Sequence, residues 1–207
     1  MNGKFLVFEG IDGSGKTTQL KLLGDKLSTR GYPVLYTREP GGTRIGETVR
    51  ELLLDPQHSE LVPVAEALLY AAARAQHVAQ VIMPALQAGN IVLCDRFLDS
   101  SLAYQGFGRG LDVGQLERLN EAATAGLKPD LVLLLDFLCD TGMNRIARAG
   151  RRVDRIEQED RAFYSKVRSG YLTLAGRDPS RYRVIDANRA IEQIHYDIIG
   201  VVEEILE

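Results

Sequence analysis

Only two cysteines, Cys94 and Cys139, occur in the 207 residues of the chain. Both lie in or beside apolar stretches and match no metal-ligand spacing, which argues against a disulfide framework or a thiolate metal centre and leaves buried free thiols. Long apolar runs are missing as well. The first, Phe5-Leu6-Val7-Phe8, follows Met1-Asn2-Gly3-Lys4 directly and is far shorter than the ~7–15 residues of a signal-peptide core or the ~20 of a membrane span. The chain is therefore expected to stay in the cytoplasm, away from membranes. Positive charge is not in excess either: the formal net charge is −3, which argues against a broad nucleic-acid surface but permits a small cationic pocket in an acidic protein. With no repeat and no linker-like stretch, residues 1–207 are expected to form one domain around one core.

What is present alternates short apolar runs with helical periods. Strands are predicted at 4–9, 33–37, 90–94, 130–136 and 182–186, and helices near 16–30, 44–54, 62–88, 114–125, 140–149, 158–175 and 190–206. Leu131-Val132-Leu133-Leu134-Leu135 is apolar throughout, as in a central strand covered on both faces. Strand and helix in alternation predict an α/β fold, a parallel sheet flanked by helices. The stretches 38–43, 105–112 and 149–157 read as irregular. Loops at the carboxyl ends of parallel strands are where such folds hold ligands.

One such loop has a recognisable chemistry. Gly10-Ile11-Asp12-Gly13-Ser14-Gly15-Lys16-Thr17 fits G-x-x-x-x-G-K-[ST] between a predicted strand and a predicted helix, the context that a phosphate-binding loop requires. Its glycines let the backbone turn N–H groups inward around phosphates, and the helix N-terminus adds partial positive charge. Lys16 is the mobile cation for the β- and γ-phosphates, and the Thr17 hydroxyl is the candidate ligand for Mg²⁺. By itself the loop identifies only a phosphate-bearing nucleotide and is silent about the acceptor.

Further blocks narrow the choice: Phe8-Glu9-Gly10-Ile11-Asp12, Thr37-Arg38-Glu39-Pro40-Gly41-Gly42-Thr43, Asp95-Arg96-Phe97 with Ser100-Ser101-Leu102-Ala103-Tyr104-Gln105-Gly106, and Asp154-Arg155-Ile156-Glu157-Gln158-Glu159. Together, and in this order over nearly the whole chain, they resemble the bacterial thymidylate kinases. The resemblance implies a P-loop nucleoside monophosphate kinase fold with five parallel strands and a short lid at 142–157. It also implies transfer of the γ-phosphate of ATP to dTMP with Mg²⁺, and a homodimer. Another monophosphate or metabolite kinase on the same fold is the nearest rival. A nucleotide switch of the GTPase kind is disfavoured because no Asn-Lys-x-Asp guanine-reading block is present.

The resemblance also assigns residues. Tyr70, Arg74 and His77 share one helical face. Taken alone Tyr70 and Arg74 read as a core-edge aromatic and a surface cation; by resemblance Tyr70 stacks on thymine and Arg74 donates to its O4. His77 is given no binding role. Ser101 and Gln105 match positions near the thymine edge, and Tyr104 matches a ring that crowds a ribose 2′-hydroxyl. Arg38, Glu39 and Arg50 match residues around the acceptor phosphate and sugar. Arg96 matches a phosphate clamp, and Asp95 is read as orienting Arg96 or a Mg²⁺-bound water. Asp12 matches a carboxylate near the acceptor 3′-hydroxyl, with helix-start charge compensation as the alternative. Asp186-Ala187-Asn188-Arg189 resembles the adenine-side loop.

Where some members carry an arginine in the phosphate loop, this chain has Gly13, and its lid is the basic part: Arg145, Arg148, Arg151, Arg152, Arg155 and Arg161 crowd one segment. Arg155 is read as catalytic, Arg148 and Arg151 as ATP-binding, and Arg145 and Arg161 as solvated ion-pair partners. Spacing does not choose among Arg148, Arg151 and Arg152.

Overall fold

The computed structural model describes residues 3–138 and 153–206. Five strands, β1 (Lys4–Glu9), β2 (Val34–Arg38), β3 (Ile91–Asp95), β4 (Leu131–Asp136) and β5 (Tyr182–Asp186), form one sheet in the order β2-β3-β1-β4-β5. Every pairing is parallel, so each connection crosses over through helix. The expected strands and the expected α/β architecture are both observed. In β1, Phe5 and Val7 pack with Val92, Cys94, Val78 and Ile82 on one face, while Leu6 and Phe8 enter the larger core on the other. Period-2 alternation in a strand covered on both sides accounts for the split.

Helix α1 (Lys16–Thr29) follows the phosphate loop, and α2 (Arg44–Leu54) starts at Thr43, whose hydroxyl caps Gly46 N at 2.9 Å. The predicted helix 62–88 is instead α3 (Pro63–His77), a π-helical turn Val78–Ile82 and α4 (Met83–Gln87). Pro84 gives a physical reason: it lacks an N–H and its ring crowds the carbonyl four residues back, which a wider turn accommodates.

The stretch expected to be irregular at 105–112 is corrected in its first half, 105–108, while 109–112 is irregular as expected. Residues Leu98–Ser101 form α5, which continues as a π-helical segment, Leu102–Gly108. Local propensity is poor here, with Asp, Ser and Gly in quick succession, and the segment is held from outside. No side chain on its own N-terminus caps it; the Glu9 carboxylate of β1 takes Phe97 N at 2.9 Å and Ser100 N at 3.1 Å. Close packing completes it: a Cβ on Gly108 would sit 2.7 Å from the Phe163 ring, and one on Gly170 2.7 Å from Phe107.

Three further helices are present among the described residues. Helix α6 (Val113–Thr124) is capped by Asp112, α7 (Arg161–Arg177) by Asp160, and α8 (Ile191–Leu206) packs against α1. The predicted helix 140–149, together with Cys139, Arg145, Arg148, Arg151 and Arg152, lies outside the described residues. Cys94 is a free, buried thiol, pushed well above its ordinary range by burial and by the carboxylates around it. Among the described residues no helix is long and apolar enough to cross a membrane.

Candidate active site

Strand order brings the carboxyl ends of β1 and β3 side by side, Phe8 opposite Asp95. The chain leaves β1 through the phosphate loop with Gly10 at φ 136°, Gly13 at 80° and Gly15 at 89°. At Gly10 a side chain is doubly excluded, since a Cβ would lie 2.5 Å from the Leu135 carbonyl oxygen. The Lys16 ammonium lies back over the loop, donating to the Gly10 and Ile11 carbonyls at 3.0 Å each. Burial, seconded by Arg96, draws its pKa down to about 8 against the pull of Asp95, Asp12 and Glu9. A phosphate arriving there would restore the missing counter-charge.

Thr17 Oγ1 donates to Asp95 Oδ2 at 2.7 Å. A hydroxyl and a carboxylate at the foot of a phosphate cradle are the hard oxygen donors that Mg²⁺ takes, phosphate oxygens and water supplying the rest. The residues present therefore fit the metal.

Arg96 leaves β3 with φ 71°, a left-handed conformation that a non-glycine residue holds only when its surroundings fix it. They do so here through five acceptors. Nη1 donates to the Gly10 carbonyl, Ser100 Oγ and Tyr171 Oη, and Nη2 to Asp12 Oδ1 at 2.7 Å and Tyr104 Oη at 3.1 Å. Asp12 Oδ2 takes the Tyr104 hydroxyl at 2.9 Å. Burial would raise the Asp12 pKa, but Arg96 and Lys16 overcome it and hold the carboxyl at about 2.

A cleft opens beside this cluster, lined among others by Tyr70, Arg74, Ser101, Gln105, Tyr104 and Arg50. Arg74 is 1% exposed. Its Nε donates to Glu39 at 2.8 Å, Nη1 to Asn120 at 2.5 Å, and Nη2 to the Phe97 carbonyl at 3.1 Å and Ser101 Oγ at 3.0 Å. Burial and the nearby Glu66 push the Tyr70 phenol upward, so the ring faces the cleft with a neutral hydroxyl. A second, larger cleft runs along the phosphate loop past Lys16, Thr17, Arg38, Asp95, Ala187 and Arg189. The two clefts share Asp12, Glu39, Arg50, Arg96 and Asp154.

Glu39, expected around the acceptor phosphate and sugar, lines both clefts, and its carboxylate is engaged: one oxygen holds Arg74 and the other pairs with His77 Nδ1 at 3.0 Å. One expected role does not match the geometry. Arg155, expected to deliver charge to the phosphate loop, points the other way. It is 8% exposed, with Nε on the Leu53 carbonyl at 2.9 Å and Nη2 on Glu66 at 2.5 Å. Buried Glu66 is the better electrostatic partner, and Arg155 anchors the chain to α2 and α3. Arg38 lies in the phosphate-loop cleft, bonded twice to Glu47, and Arg50 donates to the Pro40 carbonyl at 2.9 Å.

Several contributors escaped the sequence reading: Glu9, Glu66, Asn120, Tyr164 and Tyr171. Glu66 carries a usable signal, an acid one turn before Tyr70 on an alanine-rich face. Tyr164 and Tyr171 recur at i and i+7, which places both on the face of α7 that meets Arg96 and Asp12.

A model of the thymidylate kinase family matches residues 8–198. The chain belongs to the thymidylate kinase family. It is 65% identical over 207 residues to a thymidylate kinase of Pelotomaculum thermopropionicum, covering 100% of this chain and 96% of that protein. It is 52% identical over 199 residues to the thymidylate kinase of Syntrophotalea carbinolica, covering 94% and 92%. Among solved structures, a thymidylate kinase from Ehrlichia chaffeensis superposes with a TM-score of 0.80 at 36% identity, covering 98% of this chain and 99% of that one. The five-stranded parallel sheet and its flanking helices are thus those of the thymidylate kinases.

Proposed function

We propose that this chain transfers the γ-phosphate of ATP to dTMP, giving dTDP and ADP, with Mg²⁺ on the donor. The observation that carries this reading, beside the family, is that a phosphate-loop cleft and a second cleft bearing an aromatic and a buried guanidinium meet at Arg96 and Asp12. In-line transfer asks for that: two ligands end to end with cation between them.

ATP would lie on Gly10–Thr17, its adenine towards Ala187 and Arg189. Thr17 and Asp95 would hold Mg²⁺, which supplies charge neutralisation across the donor phosphates. The thymine ring would stack on Tyr70 beside Arg74, Ser101 and Gln105, its deoxyribose against Tyr104 and Asp12, its phosphate among Arg38, Arg50 and Arg96. No protein base is needed, because a phosphate monoester loses its second proton near pH ~6. Charge developing on the transferred group would be met by Lys16 and Arg96 and by one of Arg148, Arg151 or Arg152 from a lid over residues 142–157. Arg155, engaged with Glu66, is better suited to anchoring that segment than to catalysis. A homodimer is supported by apolar side chains left exposed on α2 and α3: Leu52, Val64 and Leu68 are 41%, 57% and 52% exposed.

Steady-state assays with Mg-ATP and a panel of monophosphates test the reading. Turnover of dTMP well above dCMP, dAMP and dGMP is expected. A preference for any other monophosphate, or none, would overturn it.

A further inference from the structure

Glu66 is fully buried on α3, four residues before Tyr70 and eight before Arg74, so the three side chains occupy successive turns of one side of the helix. Its carboxylate takes Gln105 Nε2 at 2.8 Å and Arg155 Nη2 at 2.5 Å, with Arg109 Nε and Nη2 at 3.4 Å. A carboxylate held between two guanidiniums accepts hydrogen bonds and donates none. The Gln105 amide therefore has one permitted orientation, nitrogen towards Glu66 and oxygen away from it. Among the described residues Gln105 Oε1 receives no hydrogen bond, and Gln105 lines the acceptor cleft beside Arg74, Ser101 and Tyr70.

We propose that Glu66 is a positioning residue that sets the polarity of the base-reading edge. By capturing the amide nitrogen it makes Gln105 an acceptor towards the cleft, next to Arg74, which can only donate. Four of the five Arg74 N–H donors are taken by Glu39, Asn120, Phe97 and Ser101, leaving one hydrogen on Nη1. A donor beside an acceptor fits a ring that carries a carbonyl oxygen next to a ring N–H, as thymine and uracil do. Cytosine offers an amino group next to a bare ring nitrogen, and would meet donor with donor and acceptor with acceptor. The selection against cytosine thus originates one residue behind the side chain that touches the base. The inference rests on dTMP being the acceptor.

The test compares kcat and KM for dTMP, dUMP and dCMP in wild type, Glu66→Gln, Gln105→Met and the double variant. Wild type that fails to prefer dTMP would refute the functional reading itself, and is scored first. Given that preference, Glu66→Gln lets the amide turn over, so the dTMP to dCMP ratio of kcat/KM should narrow by about 10-fold. The change should sit mainly in KM, with the dTMP to dUMP ratio unchanged because both bases show the same edge. In the Gln105→Met background Glu66→Gln should narrow the ratio no further. Equal loss on all three substrates, or additive effects in the double variant, would reduce Glu66 to an ion-pair anchor. Should Glu66→Gln fail a thermal-unfolding check, Gln105→Met still decides, since it leaves the ion pairs in place: an unchanged dTMP to dCMP ratio overturns the proposal.

Discussion

Glu9 ties β1 to α5, and its proton makes the stability of that joint depend on pH. The side chain is fully buried and takes Phe97 N, Ser100 N, Ser100 Oγ and Tyr171 Oη, with Asp99 close by. Burial and repulsion from Asp99 outweigh Arg96 and the hydrogen bonds, raising its pKa from 4.5 to about 7. The folded protein therefore keeps a proton that the unfolded chain releases between about pH 4.5 and 7, and stability must fall as pH rises through that window. At about 1.4 kcal/mol per pH unit the gap comes to about 3 kcal/mol, absent below the lower limit and fully expressed above the upper one. Glu9→Gln mimics the protonated acid, because the amide oxygen still accepts from the backbone while its nitrogen donates to the Ser100 or Tyr171 hydroxyl. Urea melts of both proteins at half-unit steps from pH 4.5 to 8 isolate the contribution as their difference. Wild type should lose about 3 kcal/mol relative to Glu9→Gln across the range. A difference that stays flat, or one of the opposite slope, would refute the argument.

Removing the Glu39 carboxylate with Glu39→Ala leaves Arg74 buried without its ionic partner and should cost about 3–5 kcal/mol, read from urea midpoints at unchanged m. Asp12 behaves oppositely to Glu9: its carboxyl is held at about 2 against an ordinary 3.8. Its contribution, about 2 kcal/mol, is full above pH 3.8 and is lost as pH falls towards 2, so Asp12→Asn should flatten that part of an acid-denaturation curve. Lys16→Ala and Arg96→Ala should each lower kcat for dTMP by about 10²–10³-fold or more in steady-state assays while circular dichroism stays native.

The parts of the fold that were legible in the sequence are those whose causes are local. The strands, the phosphate loop and the helix start at Arg44 follow from period, glycine placement and a capping residue adjacent in sequence. The segment Leu98–Gly108 was not legible, because what holds it is a carboxylate 91 residues away at Ser100 and aromatic packing from α7. The same distinction runs through the site. The motifs and the resemblance named the side chains that face the clefts, Lys16, Arg74 and Arg96, but not what stands behind them. Asn120, Tyr164 and Tyr171 come from distant helices, and Arg155 was assigned by its neighbours in sequence when its partner, Glu66, lies 89 residues away.

The saturated surroundings of Arg96 have a further consequence. Its terminal nitrogens already rest on the protein, with Asp12 among them as a resident anion. In the proposed clamp role of Arg96 a guest phosphate would be received by exchange, displacing contacts of nearly equal kind without calling up a charge that had been waiting bare. An uncharged nucleoside has nothing to offer in that exchange and leaves the latch closed, so thymidine itself should be a poor guest.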